Sequence, residues 1–240
     1  MTALEKLEAR EKQFRETFEK HLNNGVEFCS RDVYIDPEVI IAPGAVILPG
    51  CTLKGNTVIE EGCVVGPHSL LQNTHLGKNT TFNQSQAYDS DLGENNKIGP
   101  FTHVRAGTVT GEGVHLGAYV ETKNVNFAQG NTVSHLTYIG DADVGKYCNF
   151  GCGTVTCNYD GEGKYRTVIG DYAFIGCNTN LVAPVKVGDH AYTAAGSTIG
   201  KDVPDGALGI ERAKQTAIPG WGEKKLAAYI EKKKKLEESR

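Results

Sequence analysis

His135 and Tyr138 stand three residues apart in "SHLTYIGDADVG", Ser134 to Gly145. Arg105, Glu121 and Lys123 precede them, and Asn149 follows. An imidazole with an ordinary pKa of ~6.5 accepts a proton at neutral pH. Arg and Lys bring fixed positive charge and N–H donors to a phosphate. The combination suits group transfer to an amine or hydroxyl of a phosphorylated small molecule. Each residue alone says little, because a histidine on a protein wall is more often a surface residue or a metal ligand than a base. His68, His75, His103, His115 and His190 are given no role for that reason.

A second stretch with chemistry is "TCNYDGEGKYRT", Thr156 to Thr167. It is rich in Asn, Asp, Gly and Lys and has no aliphatic residue to bury, so it reads as a loop thrown out from a scaffold. Binding groups often sit on such loops, and this one carries Asn158, Tyr159 and Lys164. The seven cysteines are Cys29, Cys51, Cys63, Cys148, Cys152, Cys157 and Cys177. Their number is odd, and "MTALEKLEAREK" lacks the apolar core of a secretion signal. Reduced thiols and a cytoplasmic location are expected. The spacing of Cys148, Cys152 and Cys157 matches no common zinc signature, and no metal is expected. No run of about 18 apolar residues exists to span a membrane. A net charge of -4 gives no reason to expect a nucleic-acid partner.

The elements that must position these residues show in a repeat. Every sixth residue from Ile35 is aliphatic: Ile41, Ile47, Leu53, Ile59, Val65 and Leu71. Four residues after each come Val39, Ala45, Cys51, Thr57, Cys63, Ser69 and His75, mostly small or β-branched. The phase slips to Leu92, Ile98 and Val104, and a second run follows through Ile169, Ile175, Leu181, Val187, Thr193 and Ile199. A period of six is not helical. It fits short strands with a turn in each unit, as in "IAPGAV" and "IEEGCV", and the 29 glycines suit that many turns. Such hexapeptide repeats build a parallel β-helix, three hexads to a coil. The aliphatic residue fills the prism and the small one fits its corner. From about residue 33 to 204 this predicts eight to nine coils, with a second break in the pattern around residues 103–138. Leu4, Leu7, Phe14, Phe18 and Leu22 lie at helical spacing and are expected to cover the N-terminal end. The stretch after Trp221 reads as a basic, solvated helix.

"RDVYIDPEVIIAPGAVILPG", "IGPFTHVRAG", "GAYVETKN", "SHLTYIGDADVG", "NFGCGTVTCNYDGEGKYRTVIGD" and "NLVAPVKVG" carry a resemblance over about residues 25–221. The chain resembles the acetyltransferase domain of the bacterial bifunctional N-acetylglucosamine-1-phosphate uridyltransferase / glucosamine-1-phosphate N-acetyltransferase family. The resemblance implies an all-β fold, a left-handed parallel β-helix with short terminal helices, and a homotrimer with sites at chain interfaces. It divides the chain into a helical connector or cap at 1–30, the β-helix acetyltransferase domain at 31–208 with the extruded loop 156–167, and a C-terminal arm and helix at 209–240.

Carried over by position, His135 matches the family's general base. Arg105, Lys123, Tyr138, Asn149 and Lys164 match sugar-phosphate positions. Glu121 is expected to bias the imidazole or bind a sugar hydroxyl. Asn158 and Tyr159 match positions near the acetyl group and the coenzyme A arm. Cys152, Cys177, Ala195 and Arg212 fall on other coenzyme A positions, with Cys152 where a small Ala is common and Cys177 where a Ser is common. The implied reaction is transfer of acetyl from acetyl-CoA to glucosamine 1-phosphate, with no metal required. A hexapeptide-repeat acyltransferase with another amino sugar or amine as acceptor, and a non-catalytic scaffold, are the alternatives. The family's nucleotide-binding domain has no counterpart in these residues, so no uridyltransferase activity is expected and a separate uridyltransferase is an expected partner. An excised domain and a free-standing enzyme both fit the sequence.

Overall fold

Along each short strand, side chains alternate between the inside and the outside of a prism. The inside positions are the aliphatic hexad residues: Ile35, Ile41, Ile47, Leu53, Ile59, Val65 and Leu71 are all buried, as are Ile169, Ile175, Leu181, Val187 and Ile199. The computed structural model describes residues 1–238, a left-handed parallel β-helix of about ten turns with one helix at each end. Every coil pairs in parallel with the next. Ile40 lies beside Val58 and Val46 beside Val64, eighteen residues on.

The corners explain the small polar residues. A buried hydroxyl needs a partner, and here it finds the carbonyl three residues earlier. Thr57 Oγ1 donates to Lys54 O at 2.7 Å, Thr154 Oγ1 to Gly151 O at 2.8 Å, and Thr179 Oγ1 to Gly176 O at 2.7 Å. At the apex of many corners one residue takes a left-handed backbone, and Asn or Asp often supplies it: Asn73, Asn79, Asn95, Asn124, Asp141 and Asn178 all have positive φ. Their short side chains tolerate that region better than most.

The solenoid departs from the expected hexad repeat in four ways. The coil count exceeds eight to nine because mid-solenoid coils shrink: Leu70 pairs with Gln86 and His75 with Asp91, sixteen residues on. Pairing also begins earlier, at Glu27–Phe28, and ends later, at Leu208–Gly209. His75 is not a corner residue. Thr74 takes the buried corner and Leu76 the interior, because this coil has lost one residue, so His75 faces outward. The stretch 103–138 is no break, since Val104, Leu116, Val120, Thr122, Phe127 and Val133 keep the inward pattern. Its two strands, His115–Phe127 and Thr132–Val144, run on around the corners in register. In the extruded segment, Thr156 and Thr167 are buried in the prism, Cys157 still pairs with Val182 and Asn158 is buried, so the excursion begins only after Asn158.

The N-terminal helix, Ala3–Asn23, opens with a capping box in which the Thr2 hydroxyl and the Glu5 carboxylate each accept the other's backbone N–H. Only its last turns cover the prism. Thr17, Phe18 and His21 are buried and Phe18 packs on Phe28 at 4.5 Å, while Leu4, Leu7 and Leu22 stay exposed. The C-terminal helix, Trp221–Glu238, has no buried residue. No helix among the described residues is long and apolar enough to cross a membrane.

Candidate active site

One corner and the two walls that meet there carry most of the candidate residues. His135 follows the inward Val133 and precedes Leu136, whose φ of 47° turns the chain. The ring is exposed and sits in register with Ala118 of the coil before. On the wall after the corner, His103, Glu121, Tyr138 and Val155 form one outward column. Two residues further on, Lys123 lies beside Gly140. Tyr138 leans across that glycine: a Cβ on Gly140 would sit 2.3 Å from the tyrosine hydroxyl. Gly140 therefore supplies the space in which the ring lies.

Three cations meet on this wall. Arg105 Nη1 donates to Glu121 Oε1 at 2.7 Å, so Glu121 holds the guanidinium. The Lys123 ammonium is pushed below its usual range, first by the approach of Lys164 from the extruded loop and then by the charge of Arg105, with Asp141 opposing. A like charge nearby disfavours the charged form of an ammonium, and an anion placed among the three would relieve that repulsion. Asp141 lies beneath them. Burial alone would raise its carboxyl, but hydrogen bonds from Asn124 and Asn158 and the charges of Lys164 and Arg166 hold it below the usual carboxylate range. Asn158 is thus nearly buried with its side-chain amide given to Asp141, while Tyr159 is exposed and its hydroxyl donates to Gly161 O at 2.6 Å.

A corner column continues from His135 toward the C-terminal end. Gly153 N donates to Leu136 O at 3.0 Å, Asn178 N to Cys152 O at 2.8 Å and Gly196 N to Cys177 O at 2.8 Å. These bonds set Cys152, Cys177 and Ala195 on successive coils after His135. Arg212 Nη1 closes the column with a hydrogen bond to Ala195 O at 2.7 Å. At about 4.8 Å per coil, the strip from His135 to Ala195 is about 14 Å long.

Asn149 is the candidate that does not join the others. It pairs with Thr132 and Phe174 on the wall before the corner, across the turn from Tyr138. A concavity of about 640 Å³ lies elsewhere, at the open C-terminal end of the prism between Thr198 and Glu211, and none of the candidate residues lines it. It exists because the solenoid stops there. The candidate residues stand on an open wall instead.

Sequence reasoning missed four neighbours, His115, Asp143, Arg166 and the Asp141 described above. His115 stands in register with Lys97 and Thr132, and its pKa is lowered by burial, then by Lys97 and by His135 itself. Arg166 and Asp143 tie the end of the extruded loop to the prism, with Arg166 Nη2 2.6 Å from Asp143 Oδ1. The signal for them was the acidic pair in "GDAD" followed by a lone Arg where the loop rejoins the repeat.

The GMPPB C-terminal domain family model matches residues 29–135, and the bacterial transferase hexapeptide model (six repeats) matches residues 166–201. The bifunctional protein GlmU of Clostridium acetobutylicum is 50% identical over 208 residues, 86% of this chain and 46% of that protein. GlmU of Clostridium novyi is 48% identical over the same length, again 86% of this chain and 46% of that protein. The chain belongs to the GlmU family, in its hexapeptide-repeat part. It spans about half the length of the GlmU relatives it matches. A solved UDP-N-acetylglucosamine acyltransferase is 21% identical, covering 78% of this chain and 71% of that one with a TM-score of 0.49, a likeness too low to add to the GlmU comparison. Among the described residues, no group of three or more His, Cys, Asp or Glu is placed to hold a metal ion.

Proposed function

We propose that the protein is an acyltransferase that moves the acetyl group of acetyl-CoA to the 2-amino group of glucosamine 1-phosphate. The observation that carries this reading is the meeting of Lys123, Lys164 and Arg105 on the wall beside the corner that presents His135. Three cations held together match a phosphate dianion better than a neutral sugar. Tyr138, lying over Gly140, then faces the sugar ring.

His135 takes a proton from the amine as its nitrogen attacks the thioester carbonyl. The tetrahedral oxyanion collapses, the C–S bond breaks, and the proton held by His135 passes to the departing sulfur, so coenzyme A leaves as its thiol. No covalent acyl-enzyme is needed, because a thioester is already activated and an amine is a competent nucleophile. The strip Cys152, Cys177 and Ala195, ending at Arg212, suits an extended thioester arm in length and direction. Asn158 acts through Asp141 and holds the loop. Glu121 orients Arg105. Three copies of the chain form the working assembly in this reading: Asn149 stands across the corner from Tyr138, so a sugar held by one wall meets the Asn149 of a neighbouring copy.

The test is free thiol release from acetyl-CoA with glucosamine 1-phosphate, run beside plain glucosamine. Turnover that strongly favours the phosphorylated sugar is expected. Equal use of both removes the phosphate clamp and leaves the second reading, an acyltransferase for another amino sugar or amine. No thiol release with any amine acceptor removes both.

A further inference from the structure

The extruded loop brings Lys164 toward a second lysine, and like charges at short range repel. A free loop of this length would swing away and relieve the repulsion. Both of its ends are tied down instead, at one corner of the prism. At the departing end, Asn158 donates to Asp141, whose other oxygen accepts from Asn124 Nδ2 at 2.5 Å. At the returning end, Arg166 makes a forked contact with Asp143, Nε to Oδ2 at 2.8 Å and Nη2 to Oδ1 at 2.6 Å. Arg166 also donates to the carbonyls of Ala142 at 2.8 Å and Asn124 at 3.4 Å. Asn126 Nδ2 steadies Asp143 from the preceding coil at 2.7 Å. Between the two ends the loop is stiff. Tyr159 and Lys164 form an antiparallel bridge, and Asp160 Oδ1 accepts the backbone N–H groups of Glu162 and Gly163 at 2.9 and 2.8 Å.

We propose that Arg166 with Asp143, and Asp141 with Asn158, are positioning residues that hold Lys164 against Lys123 and so set the affinity for the acceptor's phosphate. This rests on the reading of Arg105, Lys123 and Lys164 as the phosphate-holding set. None of the four positioning groups needs to touch the substrate. Forked Arg–carboxylate contacts fix an angle as well as a distance. That is what a lysine on an outlying hairpin needs if it is to stay beside another cation before the anion arrives.

The test compares the wild-type protein with Arg166→Ala, Arg166→Lys and Asp143→Asn. Two readouts are taken: steady-state kinetics with both acceptors, and amide hydrogen exchange across residues 159–165. Arg166→Ala should raise KM for glucosamine 1-phosphate about tenfold or more, the loss expected for one charge-assisted contact, while kcat changes less than about threefold. KM for plain glucosamine should not move, so discrimination between the sugars falls. Exchange in the loop should quicken about tenfold while the prism stays protected. Arg166→Lys should recover part of the affinity and Asp143→Asn should lose it, which keeps the test open if the alanine variant folds poorly. Faster loop exchange without a change in KM would make the contacts a plain anchor and overturn the proposal, as would unchanged exchange. If the wild type turns over neither sugar, the functional reading fails by itself. Calorimetry with inorganic phosphate then decides the positioning role. Binding by the wild type that weakens in Arg166→Ala supports it, and equal or absent binding in both overturns it.

Discussion

His135 projects from a corner whose backbone is held by hydrogen bonds to the coils on either side, and its exposed ring is presented to the wall. A positioned base contributes about 10²–10⁴ in rate. His135→Ala is therefore expected to lose that factor in kcat while KM for the acceptor changes little, measured by thiol release. A variant with near-normal turnover removes the base from the scheme. Gly140→Ala tests the neighbour. Its Cβ would sit 2.3 Å from the Tyr138 hydroxyl, so the ring must leave its place, and weaker acceptor binding with an intact fold is expected by calorimetry and circular dichroism. At this scale the sequence exposed the residue types but not their pairing. Arg105 and Glu121 are sixteen residues apart, and only the coil length makes them neighbours. Asn158, expected near the acetyl group, gives its side-chain amide to a buried carboxylate one coil away, a partner no motif names. Partners of that kind depend on register, which a motif does not encode.

The coil is the element, and its inward pattern was legible because alternation with a turn every six residues leaves aliphatic side chains no other place. Ile139 fills the interior beneath Tyr138 and is fully buried. Ile139→Ala should cost about 2–5 kcal/mol of stability in urea denaturation, with the loss shared by neighbouring coils because each buries itself on the next. The coil length was not legible. Shortened coils leave every hexad plausible in isolation, and the slip that turns His75 outward shows only once Thr74 and Leu76 are seen to be buried. Outside the prism, His75 bridges two carboxylates, Nδ1 to Asp91 at 2.7 Å and Nε2 to Glu60 at 3.1 Å. Burial opposes its charging, but the hydrogen bonds and charges of Asp91 and Glu60 outweigh that and raise its pKa above 6.5. A raised folded-state value means the stabilisation is complete below the unfolded pKa and disappears as pH climbs through the folded one. The wild type should exceed His75→Gln in urea stability at about pH 6 and match it at about pH 9, by less than about 1 kcal/mol because the ring is partly solvated. A constant difference across that range would show that the bridge does not titrate.

Across the whole molecule, the candidate residues occupy a corner and two open walls, and none of them lines the concavity at the C-terminal end of the prism. Catalysis gains from excluding water, so the proposed function calls for a second surface over this wall. If copies of this chain supply it, sedimentation should give three chain masses, and specific activity should fall on dilution below the assembly's dissociation range. Full activity in a demonstrated monomer would end that part of the reading. The chain's single tryptophan, Trp221, starts a helix that buries nothing, is 58% exposed, and has Lys225 Nζ 5.9 Å from its ring centre. Its fluorescence should accordingly emit at long wavelength in the native protein and shift little when the prism melts. Indole emission would report a solvated helix as though it were the whole protein, and an optical melt has to be followed in the far ultraviolet, where the stacked strands themselves absorb.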